Sequence, residues 1–400
     1  MKWTEQDYQE ALELHEKNRG KLEVAAKTPL KTRRDLSLLY TPGVARASQV
    51  IGQDKSLVNR YTWRGNTIAV VSDGTAILGL GDLGPEAAMP VMEGKALLFK
   101  SFGGVDAVPL CVNSKDPDEI VRFCEMLVPT FGGINLEDIS APRCFDILER
   151  LQDIGIPVFH DDQSGTAVVV CAALLNALKL TDKRMCEISV VINGAGSAGL
   201  AIARMLLNQA VTPAKIRILD SKGIIYPDNP KNNRHKQELA ERTNPKGEKG
   251  DLAKAMKDAD VFIGVSVAGA VTQDMVRSMA KKAIVFAMAN PVPEIMPDEA
   301  KAAGAAIVGT GRSDDPNQIN NAIGFPGIFR GALDVGATRI TPKMRWAAAV
   351  ALSRYLEKPT RGKLLPGALS LEVGKTVGEA VAKAWKKHGR GAAAMGNERF

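Results

Sequence analysis

The chain has 400 residues, which is too long for one ordinary hydrophobic core, so we expect two domains. Hydrophobic residues make up 45% and charged residues 24%, a composition typical of globular proteins, and no apolar run reads as long enough to span a bilayer. The formal net charge of +7 is spread along the sequence without a nucleic-acid-binding motif, so we expect a small-molecule substrate as the partner, with neither nucleic acid nor a membrane.

The N-terminal stretch MKWTEQDYQEALELHEKNRGKLEV combines charged residues with apolar residues at helical spacing. It lacks the apolar core that a signal peptide requires, which predicts a cytoplasmic protein. The five cysteines are odd in number and show no CxxC spacing, so neither a disulfide framework nor a zinc site is expected.

Residues 1–163 are predicted to form an N-terminal α/β domain. NTIAVVSDG reads as a strand, and AILGLGDLG as a strand that enters a glycine-rich loop. DPDEIVRFCEMLVPTF predicts a helix opened by Asp116 and Pro117, and a strand in GGINLEDI, a helix in SAPRCFDILERLQDI and a strand in IPVFHDD follow. Strands that alternate with helices indicate a parallel sheet.

Residues 164–400 are predicted to form a doubly wound, Rossmann-type NAD(P)-binding domain with C-terminal helices. EISVVINGAGSAGLAIARMLL has the pattern strand, glycine turn, helix, and KIRILD is the next strand. ADVFIGVS, KAIVFAMANP and AAIVGTG are short apolar runs typical of buried parallel strands. The stretches KMRWAAAVALSRYL and VGEAVAKAWKKHG are predicted to be helical.

The glycine turn predicts a dinucleotide site. Gly194, Gly196 and Gly199 have GxGxxG spacing between an apolar strand and a helix, which is the context that pyrophosphate binding requires. Asp220 ends the next strand, where a carboxylate accepts hydrogen bonds from the ribose and repels a 2′-phosphate. This favours NAD over NADP, although Lys222 could pair with such a phosphate. The predicted cofactor-binding residues of this region are Gly194, Ala195, Gly196, Ser197, Ala198, Gly199 and Asp220.

Two pairs of acidic residues predict a metal site. Glu137 and Asp138 end one predicted strand, and Asp161 and Asp162 end another. Because ligands of open parallel sheets lie beyond the carboxyl ends of the strands, the four carboxylates are expected at one edge. Crowded carboxylates raise each other's pKa values, and a hard divalent cation such as Mg²⁺ or Mn²⁺ relieves this. Capping of the helix that starts near Gly165 is the alternative role of Asp162.

Together these motifs resemble the malic enzyme family, in its compact bacterial form, over nearly the whole chain. The stretches that carry the resemblance are LYTPGVA at 39–45, ILGLGDLG at 77–84, VMEGKALLFK at 91–100, INLEDI at 134–139, FHDDQSGTA at 159–167, NGAGSAG at 193–199, ANP at 289–291 and NNAIGFPG at 320–327. In this family, malate is oxidised by NAD(P)⁺ and decarboxylated to pyruvate with the help of a divalent metal.

The resemblance implies specific roles for individual residues. The metal ligands of the family correspond to Glu137, Asp138 and Asp162 in this chain. The general base of the family corresponds to Lys95, which Asp161 would hold and polarise. The proton donor of the family corresponds to Tyr40. A lysine base needs a lowered pKa, and a nearby cation shifts the pKa in that direction. Without the resemblance, Lys95 would read as a surface lysine and Tyr40 as a packed aromatic residue.

The resemblance also implies roles for two asparagines, and the chain differs from larger relatives at one substrate-binding position. Asn290 and Asn321 fall on the positions that contact malate, and Asn290 is also expected to contact the cofactor. On sequence alone, Asn290 could equally belong to a turn and Asn321 to a helix end. Larger relatives carry an arginine for a malate carboxylate where this chain has Ala76, so other groups must bind that carboxylate.

Oxidative decarboxylation of malate is therefore the predicted activity, and a homodimer the predicted assembly. A malolactic-type lyase, which keeps its NAD bound and releases lactate, would share these motifs. A non-catalytic dinucleotide-binding sensor is the alternative from another class. It predicts the loss of Lys95, Tyr40 or a metal-binding carboxylate, and all of these are present.

Overall fold

The computed structural model describes residues 4–77, 79–209, 211–312, 317–367 and 369–392. Its helices are α1 Glu5–Asn18, α2 Arg33–Leu39, α3 Val44–Gln53, α4 Val58–Tyr61, α5 Pro85–Gly103, α6 Pro117–Leu127, α7 Arg143–Arg150, α8 Thr166–Thr181, α9 Ser197–Leu207, α10 Arg234–Thr243, α11 Leu252–Met256, α12 Gln273–Arg277, α13 Pro297–Ala302, α14 Phe325–Asp334, α15 Pro342–Tyr355 and α16 Glu372–Ala392. Its strands are β1 Thr67–Ser72, β2 Asp106–Cys111, β3 Gly133–Leu136, β4 Val158–His160, β5 Val190–Asn193, β6 Ile216–Asp220, β7 Gly223–Ile224, β8 Val261–Gly264, β9 Ile284–Ala287 and β10 Ile307–Thr310.

The first sheet is parallel and has the strand order β2-β1-β3-β4. The predicted helix at Asp116 and Pro117 is confirmed, because Asp116 caps α6. The predicted strand in AILGLGDLG is wrong: Gly79 and Gly81 adopt positive φ, and the described part of this stretch is a loop closed by a bridge between Ile77 and Gly81. Strand β2 was not predicted, since its half-buried side chains and internal proline obscure the pattern of this edge strand.

The second sheet confirms the predicted Rossmann-type topology. Its strand order is β7-β6-β5-β8-β9-β10, and all pairs are parallel except the short β6–β7 hairpin. Strands β5, β8, β9 and β10 are buried along their whole length, as expected for a sheet covered by helices on both faces. The order reverses between β5 and β8, which is where such sheets bind ligands.

One helical segment is more apolar than expected from the sequence. The continuous helix 161–181 has the length and composition to cross a membrane, so the expectation that no run is long enough is wrong. However, 78% of its most apolar window is buried inside the protein. Its main part, α8, packs against α9 and α15, and it therefore forms the central helix of the core.

The C-terminal helices return to the N-terminal domain. Helices α14 and α16 pack against each other and against α5. The contact is aromatic, because the ring of Phe99 on α5 lies 4.6 Å from that of Phe325 and 5.3 Å from that of Phe329. This packing fixes α5, which carries Lys95, against the rest of the molecule.

The N-terminal helices cover the protein only loosely. None of α1 to α4 contains a buried residue. Large apolar side chains are exposed on these helices and directly after α2, among them Tyr8, Leu12, Leu36, Leu38 and Tyr40. The segment is fastened to α5 after α1, where the backbone N–H of Lys21 donates to Oε2 of Glu93 over 3.0 Å. A monomer therefore leaves an apolar N-terminal surface in contact with water.

Candidate active site

Three carboxylates from two strand ends meet at one edge of the first sheet. Glu137 and Asp138 directly follow β3, and Asp162 lies in the turn after β4. One carboxylate oxygen from each of the three lies within 4.8 Å of the others. The backbone N–H of Asp138 donates to Oδ2 of Asp162 over 3.0 Å, with Asp138 at a left-handed φ of 53°. A set of three hard oxygen donors fits Mg²⁺ or Mn²⁺.

Lys95 lies directly beside these carboxylates. It projects from the buried face of α5 and is 9% exposed. Its Nζ lies 3.0 Å from Oε1 of Glu137, forms a short ion pair with Oδ2 of Asp161, and lies 4.4 Å from the ring centre of Phe325. The structure therefore brings the predicted base together with its predicted partner and with the metal cluster.

The two neighbouring aspartates have different partners, but they do not end a strand as predicted. Strand β4 stops at His160, and Asp161–Gly165 forms a π-helical turn that leads into α8. Asp161 contacts Lys95, whereas Asp162 contacts Asp138. The side chain of Asp162 does not cap α8. A Cβ at Gly165 would collide with Asp161, so this turn requires glycine to keep the carboxylate in place.

Burial dominates the electrostatics of the site. Burial raises the pKa of Glu137 well above its usual value; Lys95 opposes this shift, and the carboxylates of Asp162, Asp161 and Asp138 add to it. Crowding of the carboxylates thus raises the pKa of Glu137, as predicted, but burial is the larger cause of the shift. Burial lowers the pKa of Lys95, yet Asp161, Glu137 and Asp162 outweigh it and raise the pKa above its usual value. With these carboxylates ionised and no cation bound, Lys95 keeps its proton.

Tyr40 does not join this cluster within one chain. It follows α2, and its side chain belongs to the exposed apolar surface, with the residue 67% exposed. Within the described part of the chain its hydrogen bonds are backbone bonds, with Leu36 and Val44. Within the described residues the predicted proton donor thus forms no side-chain hydrogen bond with the acidic cluster or with Lys95.

The loop that contains Ala76 is tied to the acidic edge and brings no arginine of its own. The backbone N–H of Ala76 donates to the carbonyl of Asp138 over 3.0 Å. Arg143, from the start of α7, pairs with Asp73 at 3.0 Å and donates to Oγ1 of Thr75 over 2.9 Å. The guanidinium next to this loop is therefore held by a buried carboxylate.

The glycine turn has the geometry of a dinucleotide cradle. Gly194 has a φ of 122°, and a Cβ there would collide with the carbonyl of Val265. A Cβ at Gly199 would collide with the carbonyl of Gly194, whereas one at Gly196 would meet only open space. Gly194 and Gly199 are therefore needed for packing, and Gly196 leaves room for a pyrophosphate at the start of α9.

Asp220 ends β6 as predicted, but its carboxylate is already paired. Lys236 of α10 pairs with Oδ2 over 2.8 Å, and the backbone N–H of Lys222 donates to Oδ1 over 2.9 Å. Burial raises the pKa of Asp220, but these hydrogen bonds and the two lysine charges outweigh it and lower the pKa below its usual value. The lysine that neutralises the carboxylate is thus Lys236, which sequence analysis did not consider.

The two predicted asparagines lie near different segments of the first domain and of the turn after β4. The carbonyl of Asn290 lies against Gly79 of the first domain, and Asn321 begins a 3-10 turn close to Gly165. Glu294 was not predicted, although it is fully buried and holds the loops beside Asn290. Its carboxylate accepts hydrogen bonds from the backbone N–H groups of Ser266, over 2.8 Å, and Ala289, over 3.0 Å. The signal that could have identified Glu294 as a buried structural residue was the presence of a glutamate within the proline-rich, apolar stretch NPVPEIMP.

A second group of potential metal ligands is an ion-pair network instead. Asp146, Glu149 and His235 lie close enough to hold an ion. However, Arg234 pairs with both carboxylates, at 3.0 Å from Asp146, and Nε2 of His235 lies 3.2 Å from the same Asp146 oxygen. Because Arg234 and His235 belong to α10 and the carboxylates to α7, this network joins the two domains.

Comparison with known families matches both parts of the chain. Residues 19–152 match the model described as "Malic enzyme, N-terminal domain". Residues 163–386 match the model described as "Malic enzyme, NAD binding domain".

Individual relatives and solved structures agree with these matches. The chain is 55% identical to a bifunctional malic/malolactic enzyme of Bacillus subtilis, covering 94% of this chain and 92% of that protein. It is 51% identical to an NAD-dependent malic enzyme of Geobacillus stearothermophilus, covering 91% and 76% respectively. An NADP-dependent malic enzyme of Haemophilus influenzae is 49% identical over 88% of this chain, which spans 46% of that protein. The crystal structure of malic enzyme from Pyrococcus horikoshii superposes with a TM-score of 0.93 at 48% identity, covering 96% of this chain and 91% of that one.

Proposed function

Since the chain belongs to the malic enzyme family, we propose that its acidic edge catalyses the oxidative decarboxylation of malate to pyruvate and CO₂, with reduction of NAD⁺ or NADP⁺. The observation that carries this proposal is the position of Lys95. Its Nζ lies between Asp161 and Glu137, next to three carboxylates suited to a divalent cation. A buried amine beside a metal site is the arrangement that removal of a proton from a metal-activated alcohol requires.

The residues present fit both of the groups that this reaction needs. Glu137, Asp138 and Asp162 would hold Mg²⁺ or Mn²⁺ through carboxylate oxygens, and the turn at Gly194, Gly196 and Gly199 would hold the dinucleotide. When bound, the cation supplies Lewis-acid activation and positive charge, and the nicotinamide supplies the hydride acceptor.

Lys95 then acts as the general base. We infer that its neutral Nζ takes the proton from the C2 hydroxyl of malate. Asp161, fully buried and paired with Nζ, fixes the position of the amine. Asn290 and Asn321 would contact and orient malate, and Asn290 would also contact the cofactor.

After CO₂ has left, C3 needs a proton, and we assign its donation to Tyr40. In one chain Tyr40 is exposed, and its hydrogen bonds within the described residues are backbone bonds with Leu36 and Val44. We therefore infer that a second copy of the chain covers the apolar N-terminal surface and that this assembly brings Tyr40 to a site. A homodimer would bury the exposed side chains of α1 and α2.

A malolactic-type reaction is the second candidate, favoured by the name of the Bacillus subtilis relative. It fits less well, because most of the named relatives are NAD- or NADP-dependent malic enzymes. The two reactions differ in their products, since the lyase would release lactate without net reduced coenzyme. A non-catalytic sensor is set aside, because the relatives are enzymes and the acid–base groups are present.

For the coenzyme we favour NAD⁺, because we expect the carboxylate of Asp220, at the end of β6, to face the 2′ position, and the ion pair with Lys236 offsets only part of its effect. We also propose a cytoplasmic location, supported by the five cysteines, which are all free. The activity is tested by the absorbance of reduced nicotinamide with malate, Mn²⁺ and either NAD⁺ or NADP⁺, and again with a chelator. Metal-dependent reduction with malate is expected, and no reduction of either coenzyme would refute the proposed activity.

A further inference from the structure

A buried amide lies beside one of the proposed metal ligands. Asn135 is fully buried and is the one polar residue among the four of strand β3, Gly133–Leu136. Its register partners in the sheet, Val70 on β1 and Phe159 on β4, are buried apolar residues. An asparagine in such a place costs stability unless both ends of its amide are hydrogen-bonded.

Only the nitrogen end of this amide has a partner within the described chain. Nδ2 of Asn135 donates to Oε2 of Glu137 over 2.9 Å, whereas Oδ1 is buried without a hydrogen-bond partner among the described residues. The two residues are two positions apart, so their side chains leave the strand on the same face. The buried oxygen is a cost that an apolar residue of the same shape would avoid. The asparagine is therefore explained by its contact with Glu137 and not by the stability of the sheet.

Glu137 is fixed by this contact and by two others. Its backbone N–H donates to the carbonyl of Val71 on β1 over 2.9 Å. Its Oε1 lies 3.0 Å from Nζ of Lys95, and its Oε2 accepts the hydrogen bond from Asn135. The amide of Asn135 carries no charge and takes no part in the proposed proton transfer. Its hold on the carboxylate therefore does not depend on the protonation of Lys95.

We propose that Asn135 is a positioning residue that makes the metal site selective for small divalent cations, Mg²⁺ or Mn²⁺, over Ca²⁺. This inference rests on the metal site of the proposed function. Mg²⁺ requires near-ideal octahedral geometry with ligands at about 2.0–2.1 Å, whereas Ca²⁺ accepts irregular geometry at about 2.3–2.6 Å. A carboxylate held in one orientation meets the stricter requirement, and a carboxylate that is free to rotate favours the larger cation. The hydrogen bond from Asn135 thus acts on the ion through the geometry of Glu137.

The same hydrogen bond limits the number of oxygens that Glu137 offers to a cation. Ca²⁺ takes about six to eight oxygen ligands and can bind a carboxylate through both of its oxygens. Because Asn135 occupies Oε2, the oxygen that remains for a cation is Oε1. Loss of the amide would release Oε2 and increase the number of ligands available to Ca²⁺.

The test is the binding of Mn²⁺ to the full chain without malate or coenzyme, followed by the electron paramagnetic resonance signal of free Mn²⁺. Binding of Ca²⁺ is measured by its displacement of bound Mn²⁺. Asn135→Leu keeps nearly the same shape and removes the amide, so it should raise the dissociation constant for Mn²⁺ by about 10- to 100-fold. The dissociation constant for Ca²⁺ should change much less. The ratio of the constant for Ca²⁺ to that for Mn²⁺ should therefore fall by about tenfold.

Asn176→Leu is the matched control. Asn176 is another fully buried asparagine, on α8, and its Nδ2 donates to the carbonyls of Ser353 and Leu364. Its substitution measures what the loss of a buried amide does to the fold, and it should leave both dissociation constants unchanged. Asn135→Ala removes the amide without adding a branched side chain, which covers the case that Asn135→Leu does not fold. It should shift the ratio in the same direction as Asn135→Leu.

The outcomes separate this inference from the proposed function. No binding of Mn²⁺ by the wild type would refute the metal site, and this inference with it. If the wild type binds Mn²⁺, the inference alone is overturned when the Asn135 variants keep the wild-type affinity for Mn²⁺ or lose both cations equally. It is also overturned when Asn176→Leu changes the ratio as much as Asn135→Leu does. None of these measurements uses malate or turnover.

Discussion

Lys95 Nζ lies 3.0 Å from Oε1 of Glu137, so the proposed base and a proposed metal ligand share one ion pair. The protonation of Lys95 therefore depends on whether Glu137 is ionised and whether it binds a cation. With ionised carboxylates alone, the pKa of Lys95 stands above its usual value and the amine cannot accept a proton. A cation held by the same carboxylates reverses the sign of the local field, which lowers that pKa. The base is thus expected to become active only when the metal binds.

The first prediction concerns the metal ligands. Asp162→Asn or Glu137→Gln should abolish high-affinity Mn²⁺ binding and metal-dependent turnover, since each removes one of three clustered carboxylates. NADH binding, followed by fluorescence, should persist because the glycine turn is separate. Asp146→Asn serves as the control, because that carboxylate pairs with Arg234 in the other acidic cluster. Normal activity of either ligand variant at limiting Mn²⁺ would show that the assignment is wrong.

The second prediction is that metal binding depends on pH. Burial raises the pKa of Glu137, so the folded, metal-free protein holds a proton that the unfolded chain releases at lower pH. Stability of the metal-free protein should therefore fall as pH rises from the ordinary glutamate pKa towards the raised one. Mn²⁺ competes with that proton, so its affinity and its effect on the melting temperature should grow as pH rises. The measurement is a set of melting curves with and without Mn²⁺ across this pH range. A rise in melting temperature on Mn²⁺ addition that becomes smaller as pH rises would contradict the prediction.

The third prediction concerns assembly. If Tyr40 acts in the site of a second copy, mixing Lys95→Ala with Tyr40→Phe protein after subunit exchange should restore activity, because one site of each mixed dimer is intact. Random pairing sets the recovery at about a quarter of the wild-type activity. Each variant alone should stay inactive under the same conditions. No recovery, despite mixed dimers confirmed by mass, would place Tyr40 and Lys95 of one chain in the same site.

The fourth prediction concerns the coenzyme. Lys236 neutralises Asp220 at 2.8 Å, so Lys236→Ala should leave an uncompensated carboxylate near the 2′ position. The ratio of kcat/KM for NAD⁺ to that for NADP⁺ should rise by about tenfold, as for the loss of one close charge compensation. Lys281→Ala is the matched control, since this exposed lysine lies just before β9 and therefore at the edge of the sheet opposite to the carboxyl end of β6. A ratio that changes equally in both variants would exclude Lys236 as the determinant.

The sequence predicted those parts of the fold and site that depend on local patterns. The glycine turn was predictable because each glycine has its own steric requirement, and the structure shows the packing at Gly194 and Gly199. The meeting of Glu137 and Asp162 followed from the rule that parallel strands end at one edge. The glycine-rich loop after β1 was misread as a strand, since its positive φ values cannot be seen in an apolar pattern.

Other features depend on contacts between distant parts of the chain. The π-helical turn at Asp161 is set by the packing of Gly165 and Lys95 rather than by local propensity. The pair formed by Asp220 and Lys236 joins residues on different elements. The exposure of Tyr40 could not be predicted from the sequence. The motif around Tyr40 indicates a catalytic role, but it does not indicate whether the residue acts in the active site of its own chain or in that of a second copy.

The most direct test of the account compares two partial reactions in Lys95→Ala and Tyr40→Phe. Lys95→Ala should reduce malate oxidation by a factor of about 10² to 10⁴, the range typical of a lost general base. Tyr40→Phe should reduce pyruvate formation and slow the ketonisation of enolpyruvate, yet leave reduction of supplied oxaloacetate by the reduced coenzyme comparatively active, because that step needs no proton at C3. The account predicts this difference between the variants in the ratio of oxaloacetate reduction to enolpyruvate ketonisation. Equal losses of both reactions in Tyr40→Phe would contradict it and would show that the tyrosine positions the substrate.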